Sequence, residues 1–494
     1  MTNSDCALDL IRDGQIVGLG TGRAATAFVQ ALGERVKSGF KVRGVATSEA
    51  TAALARQLGI PLISLDEAIA AGGIDVTIDG ADEVDQNMDL VKGWGGALVR
   101  EKIVAAASRR LVILVTPEKL VLAVGSRGKL PVEVIPFAAK LCERRLLDLG
   151  IKSNVRQADG KVFITDNGNV ILDAVVPALE RPREFETALH DIPGVVGTGL
   201  FVGMANDVFV QHDGWIGAWH SVSPPPHPRP LSPEGSGEDV RDRAVVRVFP
   251  DAARLSQSAA DSFVEIAQAA IAERGRFTVA LAGGSTPKRL YELLAEPVYC
   301  DRVDWSRAWI FFGDERCVPP DHADSNFRMA NESFLRRLPG LPPEQIHCMA
   351  ADEEDTELAV DAYRAAIAYA HDVSWDGSPP AFDLILLGMG TDGHTASLFP
   401  ETEALDAMPE WVVFNDVPQL HTRRMTLTVS LINCSRHVMF LVAGQDKADV
   451  LAEVLEGPAD PERLPSQLIR PTSGRLTWLV DQTAAAQLKT LGAG

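Results

Sequence analysis

The sequence predicts an α/β protein of two domains, each built on a mostly parallel sheet. Short β-branched strands alternate with helical stretches along most of the chain. One proline-rich stretch interrupts that alternation, and the same grammar restarts beyond it. At 494 residues the chain also exceeds what a single hydrophobic core usually supports. The break, SVSPPPHPRPLSPEGSGEDVRDR, runs over residues 221–243. Proline fixes φ and removes donors, and Gly, Ser and charged residues offer little apolar area to bury. The stretch is therefore expected to be a semi-rigid tether. Domains are expected at residues 1–222 and 244–494, joined by a linker at 223–243.

In the first domain, a strand at 16–19 feeds a Gly-rich turn and a helix at 25–38. A strand at 41–46 leads to a helix at 48–58, and a strand at 76–78 ends in a turn at 79–82. After residues 92–96 come a helix at 98–108 and a strand at 111–115. Residues 131–209 read differently, as a small α+β subdomain with strands at 132–135, 162–165 and 170–174 and helices at 138–149 and 183–189. Beyond the break, a helix at 259–273 precedes a strand at 277–281, a Gly-rich turn and a helix starting at Pro287. Strands follow at 308–312, 382–387, 425–429 and 437–442, with a last helix at 447–455. Polar clusters sit at the C-terminal ends of strands in both halves, where open α/β sheets bind ligands.

The 46% hydrophobic, 23% charged composition is that of a globular protein with ample core. A formal charge of -20 argues against a nucleic-acid partner, which calls for a basic surface. An anionic substrate would need local cations and N–H groups, because the average field repels it. Six scattered cysteines without a CxxC pair suggest reduced thiols and a cytoplasmic location. The N-terminus lacks a secretion-signal pattern, and the apolar runs are too short to span a membrane. No ligand cluster calls for a metal, and no cofactor is expected.

Gly20, Thr21 and Gly22 lie between a strand and a helix, which fits either a plain tight turn or a loop aiming N–H groups at an anion. Asp79, Asp82 and Glu83 follow the next strand. Lys92 precedes Gly93, Gly95 and Gly96, and Glu101 and Lys102 sit early in the helix after them. For Glu101 the plain alternative is a salt bridge on a helix face. Several acids, one lysine and mobile glycines beside a phosphate-type turn favour proton transfer on an anionic sugar.

Residues 11–222 resemble ribose-5-phosphate isomerase of the A type. The motifs are Gly20-Thr21-Gly22, Asp79-Gly80-Ala81-Asp82-Glu83, Lys92 to Lys102, Lys119, Pro131-Val132-Glu133-Val134 and Thr165-Asp166-Asn167-Gly168-Asn169. The resemblance implies interconversion of ribose 5-phosphate and ribulose 5-phosphate, without metal, by a homodimer formed through this half. It makes Glu101 the general base and Lys92 the partner of the developing oxyanion. Asp79 and Asp82 would orient hydroxyls and assist ring opening or proton exchange between O1 and O2. Lys119 and the turn from Gly20 to Thr26 would hold the phosphate. Two departures stand out: Arg23-Ala24 replaces the family's Ser-Thr pair after Gly22, leaving Thr26 as the nearest hydroxyl, and Trp94 interrupts the glycine run after Lys92.

In the second half, Gly283, Gly284, Ser285 and Thr286 end a strand, and Asp314, Glu315 and Arg316 end the next. His394 stands in a Gly-rich turn two residues from Asp392, which can fix its tautomer and raise its basicity. A surface or structural histidine is the plain alternative. Residues 246–490 resemble 6-phosphogluconolactonase through Gly283 to Pro287, Gly313 to Arg316, Ser325-Asn326, Gly388 to Pro400 and Ala443 to Lys447. Glucosamine-6-phosphate deaminases share the fold, but the TASLFP sequence after His394 favours the lactonase. The resemblance implies hydrolysis of 6-phosphoglucono-1,5-lactone without a covalent intermediate. His394 would activate water, Asp392 would orient His394 or the water, and Arg316, Arg423 and Lys447 would meet phosphate and oxyanion.

Together the resemblances imply two three-layer α/β/α sandwiches of the isomerase/CoA-transferase-like type. The substrates are small phosphorylated sugars, and association with 6-phosphogluconate dehydrogenase is a further expectation. A non-catalytic sugar-phosphate sensor, or a chain with only one active half, is the alternative.

Overall fold

The computed structural model describes residues 2–222, 244–375, 377–407 and 409–489, so the expected linker at 223–243 lies outside the described residues. The chain divides into two compact units, one up to Ser221 and the other from Val222. No helix among the described residues is long and apolar enough to cross a membrane.

The main sheet of the first unit runs, from its edge, Arg43–Ala46, Ile16–Leu19, Val76–Gly80, Leu111–Val115, Asp207–His212 and Trp215–Val222. Every pair is parallel except the last. Strands such as Leu111–Val115 are buried at every position, as a sheet covered on both faces requires. Val17, Leu19, Val112 and Leu114 pack with Phe28 and Leu32 of helix Arg23–Lys37. Ile16 and Val45 pack with Val104 of helix Leu98–Ala106 on the other face. That alternation makes three layers.

A second sheet in this unit is antiparallel, in the order Val195–Thr198, Leu130–Val134, Val170–Val175 and Lys152–Val155. Leu146 and Leu189, from helices Ala139–Asp148 and Pro182–His190, close its core with Val132, Val134 and Leu172. The expected strand at 162–165 shrinks to Lys161–Val162. Thr165 instead opens a turn held by the buried Glu133, which accepts from Thr165 Oγ1, Asn167 Nδ2 and Asn169 Nδ2. Phe209, expected in the subdomain, lies in the main sheet.

The second unit repeats the plan with Ala308–Phe312, Phe277–Leu281, Leu384–Leu387, His437–Val442, Arg475–Asp481 and Ala244–Phe249, all parallel. Helix Ala252–Arg274 starts two turns before the expected 259, because Asp251 caps it by accepting from Arg254 N at 2.8 Å. Residues 425–429 do not form a strand of the main sheet. Thr422–Leu427 joins Asp314–Arg316 and Val412–Val417 in a small antiparallel sheet, and Thr428 caps helix Val429–Asn433. The helix expected from Pro287 starts at Ser285. Proline is tolerated at its third position because first-turn N–H groups have no acceptor within the helix.

Candidate active sites

The strand Val76–Gly80 carries Asp79 to the sheet's C-terminal edge, and helix Leu98–Ala106 carries Glu101 in its first turn. Between them Lys92 Nζ lies 3.0 Å from Asp79 Oδ2 and 3.4 Å from Glu101 Oε1, and it donates to the Gly80 carbonyl. All three residues are at most 4% exposed. Asp79 Oδ1 also accepts from Thr21 N at 3.1 Å and Gly80 N at 2.8 Å. Gly20 must be glycine, since a Cβ there would lie 2.3 Å from Asp79 Oδ1.

Two carboxylates thus share one ammonium away from water. Burial pushes Glu101 up to about 8, against the pull of Lys92 and with the help of Asp79 and Asp82. Burial alone would depress Lys92, but Asp79 and Glu101 outweigh it and hold its pKa above the ordinary value. Glu101 Oε2 is buried without a hydrogen-bond partner. A buried carboxylate with one uncommitted oxygen is equipped to take a proton from a bound carbon acid.

Asp82 Oδ2 accepts from Trp94 N at 2.9 Å and so fixes the glycine loop, while its charge acts on Lys92 and Glu101. Trp94 is partly buried. Its ring packs on the core of the antiparallel subdomain, with Nε1 donating to the Lys129 carbonyl at 3.2 Å. Lys119 follows strand Leu111–Val115, and its Nζ lies 5.6 Å from the Trp94 ring centroid.

Gly22, at φ +107°, leads into helix Arg23–Lys37, and no side chain caps that end. Its first N–H groups are therefore left for a ligand. Arg23 and Thr26 are exposed in this first turn, and Thr26 N is already spent on Gly22 O at 2.8 Å. Thr21 Oγ1 instead bonds Thr47, Ser48 and Thr51. This hydroxyl cluster carries no motif that sequence reading could use.

In the second unit a 410 Å³ cleft lies at the C-terminal strand ends, lined among others by Gly284, Ser285, Thr286, Arg316, His394 and Lys447. His394 Nδ1 meets Asp392 Oδ1 at 2.5 Å, and Phe399 stacks on the imidazole at 4.1 Å between centroids. Asp392 also accepts from His394 N at 3.1 Å. Partial burial works to raise the Asp392 carboxyl, but its bonds to His394 prevail and hold it below the usual range. The pair leaves His394 Nε2 as the uncommitted ring nitrogen. Gly390 permits the arrangement, because a Cβ there would lie 2.1 Å from His394 Nδ1.

Gly284, at φ +102°, leaves helix Ser285–Leu294 uncapped by any side chain, so its first turn faces the cleft like that of Arg23–Lys37 in the other unit. Buried Glu315 is structural: it accepts from Asn326 N, Phe327 N and Ser325 Oγ and seats the helix Asn326–Ser333. Asp314 Oδ2 accepts from Ser397 Oγ at 2.7 Å, which ties the His394 loop to the strand end.

The family models match in the same two halves. "Ribose 5-phosphate isomerase A (phosphoriboisomerase A)" matches residues 43–214, and "Glucosamine-6-phosphate isomerases/6-phosphogluconolactonase" matches residues 250–478. A ribose-5-phosphate isomerase A of Gloeobacter violaceus is 51% identical over 211 residues, 42% of this chain and 90% of the relative. One of Sphingopyxis alaskensis is 45% identical over 214 residues, 43% of this chain and 92% of the relative. A 6-phosphogluconolactonase of Synechocystis sp. is 44% identical over 220 residues, 44% of this chain and 88% of the relative. The chain belongs to both families, one in each half.

In the isomerase-family half, the structure brings Asp79, Lys92 and Glu101 together and sets Asp82 and Lys119 around the glycine loop. In the lactonase-family half it gathers Gly284, Ser285, Thr286, Arg316, His394 and Lys447 about one cleft, with Asp392 bonded to His394. It does not bring Arg423 there. Arg423 is exposed, paired with Asp416 at 3.0 Å and set over the Phe414 ring. Strand alternation turns its neighbour the other way: Arg424 is the cross-strand partner of Arg316. Burial and the adjacent Arg316 charge both depress the Arg424 guanidinium. Asn326, which the sequence reading named in the Ser325-Asn326 motif without a role, approaches so closely that a Cβ at Gly283 would lie 2.1 Å from its Oδ1.

Proposed function

We propose that the chain is a bifunctional enzyme, interconverting ribose 5-phosphate and ribulose 5-phosphate in its first half and hydrolysing 6-phosphoglucono-1,5-lactone in its second. The observation that carries the first reading is the buried Asp79–Lys92–Glu101 cluster with Glu101 Oε2 free. Glu101 removes the C2 proton of the open-chain aldose and returns it to C1. Lys92 offsets the charge on the enediolate oxygens, so the field needed in the transition state is in place beforehand. Asp79 keeps Lys92 charged and oriented. The uncapped turn at Gly22 and the Lys119 ammonium hold the phosphate, and binding that remote dianion positions carbons 1 and 2.

In the second half His394 Nε2 takes a proton from the water that attacks C1, and Asp392 stabilises the imidazolium. Nε2 then delivers that proton to the ring oxygen as the lactone opens. Arg316, Lys447 and the first turn of helix Ser285–Leu294 meet the phosphate. We further infer a homodimer through the first half. In support, Phe137 is 97% exposed on the subdomain, close in sequence to exposed Ile135 and Leu141.

Incubating the full chain with each substrate in D2O, followed by NMR, tests the reading. Isomerisation places solvent deuterium at C1 of the ketose or C2 of the aldose, and the lactone disappears faster than its spontaneous hydrolysis. Absence of turnover on both substrates would leave the sensor alternative in its place.

A further inference from the structure

We propose that Trp94 is a specificity-determining residue of the isomerase half, holding Lys119 as an uncompensated cation for the phosphate tail of the sugar. The inference rests on the isomerase reading above.

Trp94 follows Lys92 by two residues and is fixed on every side. Its N donates to Asp82 Oδ2, its carbonyl accepts from Arg156 Nη1 at 3.0 Å, and its Nε1 donates to the Lys129 carbonyl. Arg156 is itself anchored on Asp173. The indole is thus a rigid platform at the edge of the loop that carries Lys92. Two ammonium groups rest on it, Lys119 Nζ at 5.6 Å and Lys129 Nζ at 5.7 Å from the ring centroid.

The two lysines differ in one respect. Lys129 has an acidic partner, Asp173 Oδ2 at 3.5 Å. Lys119 makes no ion pair among the described residues; its ammonium sits over the indole face, and the carboxylate that acts on it is that of its exposed neighbour Glu118. A carboxylate would hold a lysine in place and cancel its charge. An aromatic face attracts the ammonium through its quadrupole and leaves the full charge for a ligand. Lys119 also stands at the end of strand Leu111–Val115, which pairs with Val76–Gly80, so it shares the sheet edge that presents Asp79. The cation is thereby restrained at that edge, and a dianionic tail finds it already ordered.

The test uses the full chain with the variants W94L, W94F, K119M and the double variant W94L/K119M. Leucine keeps apolar bulk on the subdomain core and removes the π face, whereas phenylalanine keeps a face. Two quantities are read: the affinity for inorganic phosphate by calorimetry, and kcat and KM with ribose 5-phosphate. W94L is expected to weaken phosphate binding and raise KM by about three- to tenfold, with kcat within about twofold. W94F is expected to recover most of the loss, and the double variant to match K119M alone, because both changes remove one interaction. Unchanged phosphate affinity in W94L, or additive losses in the double variant, overturns the proposal. The calorimetry needs no turnover, so a wild-type chain that binds phosphate through Trp94 and Lys119 yet does not isomerise contradicts the isomerase reading alone.

Discussion

Lys92 Nζ lies 3.4 Å from one oxygen of Glu101, while the other oxygen is buried and has no partner. The ammonium offsets part of the burial that pushes this carboxyl up, and the free oxygen is the one that can take the proton. Glu101→Gln removes the basic carboxylate, because an amide does not take up a proton in this pH range, and leaves Lys92 paired with Asp79. Isomerase kcat is expected to fall by about 10²–10⁴-fold with little change in KM.

The raised pKa of Glu101 sets the direction of the pH profile. A base must be deprotonated to act, so kcat/KM for isomerisation is expected to rise with pH and level off above about 8. Stopped assays from pH 6 to 9.5 check this. A flat profile across that window is the contrary outcome.

The same group contributes to stability with the opposite sign. Between its ordinary value of 4.5 and about 8, the folded chain holds a proton at Glu101 that the unfolded chain has released. This contribution is fully present below the lower value and is lost as pH rises through the higher one. In thermal unfolding of the full chain, the transition of the first unit is expected to move down relative to that of Glu101→Gln as pH rises from 5 to 9.

Much of both sites was legible in sequence because glycines and charged groups at strand ends cannot be explained by core packing. Asp79, Lys92 and Glu101 were legible for that reason, as were Asp392 and His394. The backbone bonds of Asp82 and Glu315 were not, because an acid that accepts backbone N–H groups looks the same in sequence as one that does not. Arg423 was misplaced for a related reason. Neighbouring arginines on a strand point to opposite faces, and the register that decides between them comes from pairing with Asp314–Arg316. The cluster of Thr21 with Thr47, Ser48 and Thr51 joins two segments far apart in the chain, so no sequence spacing announces it.

That register gives a contrast between neighbours. Arg424→Met is expected to raise the lactonase KM by about tenfold, through loss of a charge beside Arg316. Arg423→Met, which removes a surface pair with Asp416, is expected to stay within about twofold. Initial rates against lactone concentration check both.

Gly390→Ala tests the His394 loop without touching a proton-carrying group. The added Cβ would lie 2.1 Å from His394 Nδ1, so the imidazole must turn off Asp392. Lactonase activity is expected to drop by about 10²-fold or more, while isomerase activity in the same chain is unchanged.

The most direct measurement assays the full-length Glu101→Gln and His394→Ala chains against both sugar phosphates. Each variant is predicted to lose its own reaction and retain the other at wild-type rate. Normal isomerisation by Glu101→Gln, or normal lactone hydrolysis by His394→Ala, contradicts the account.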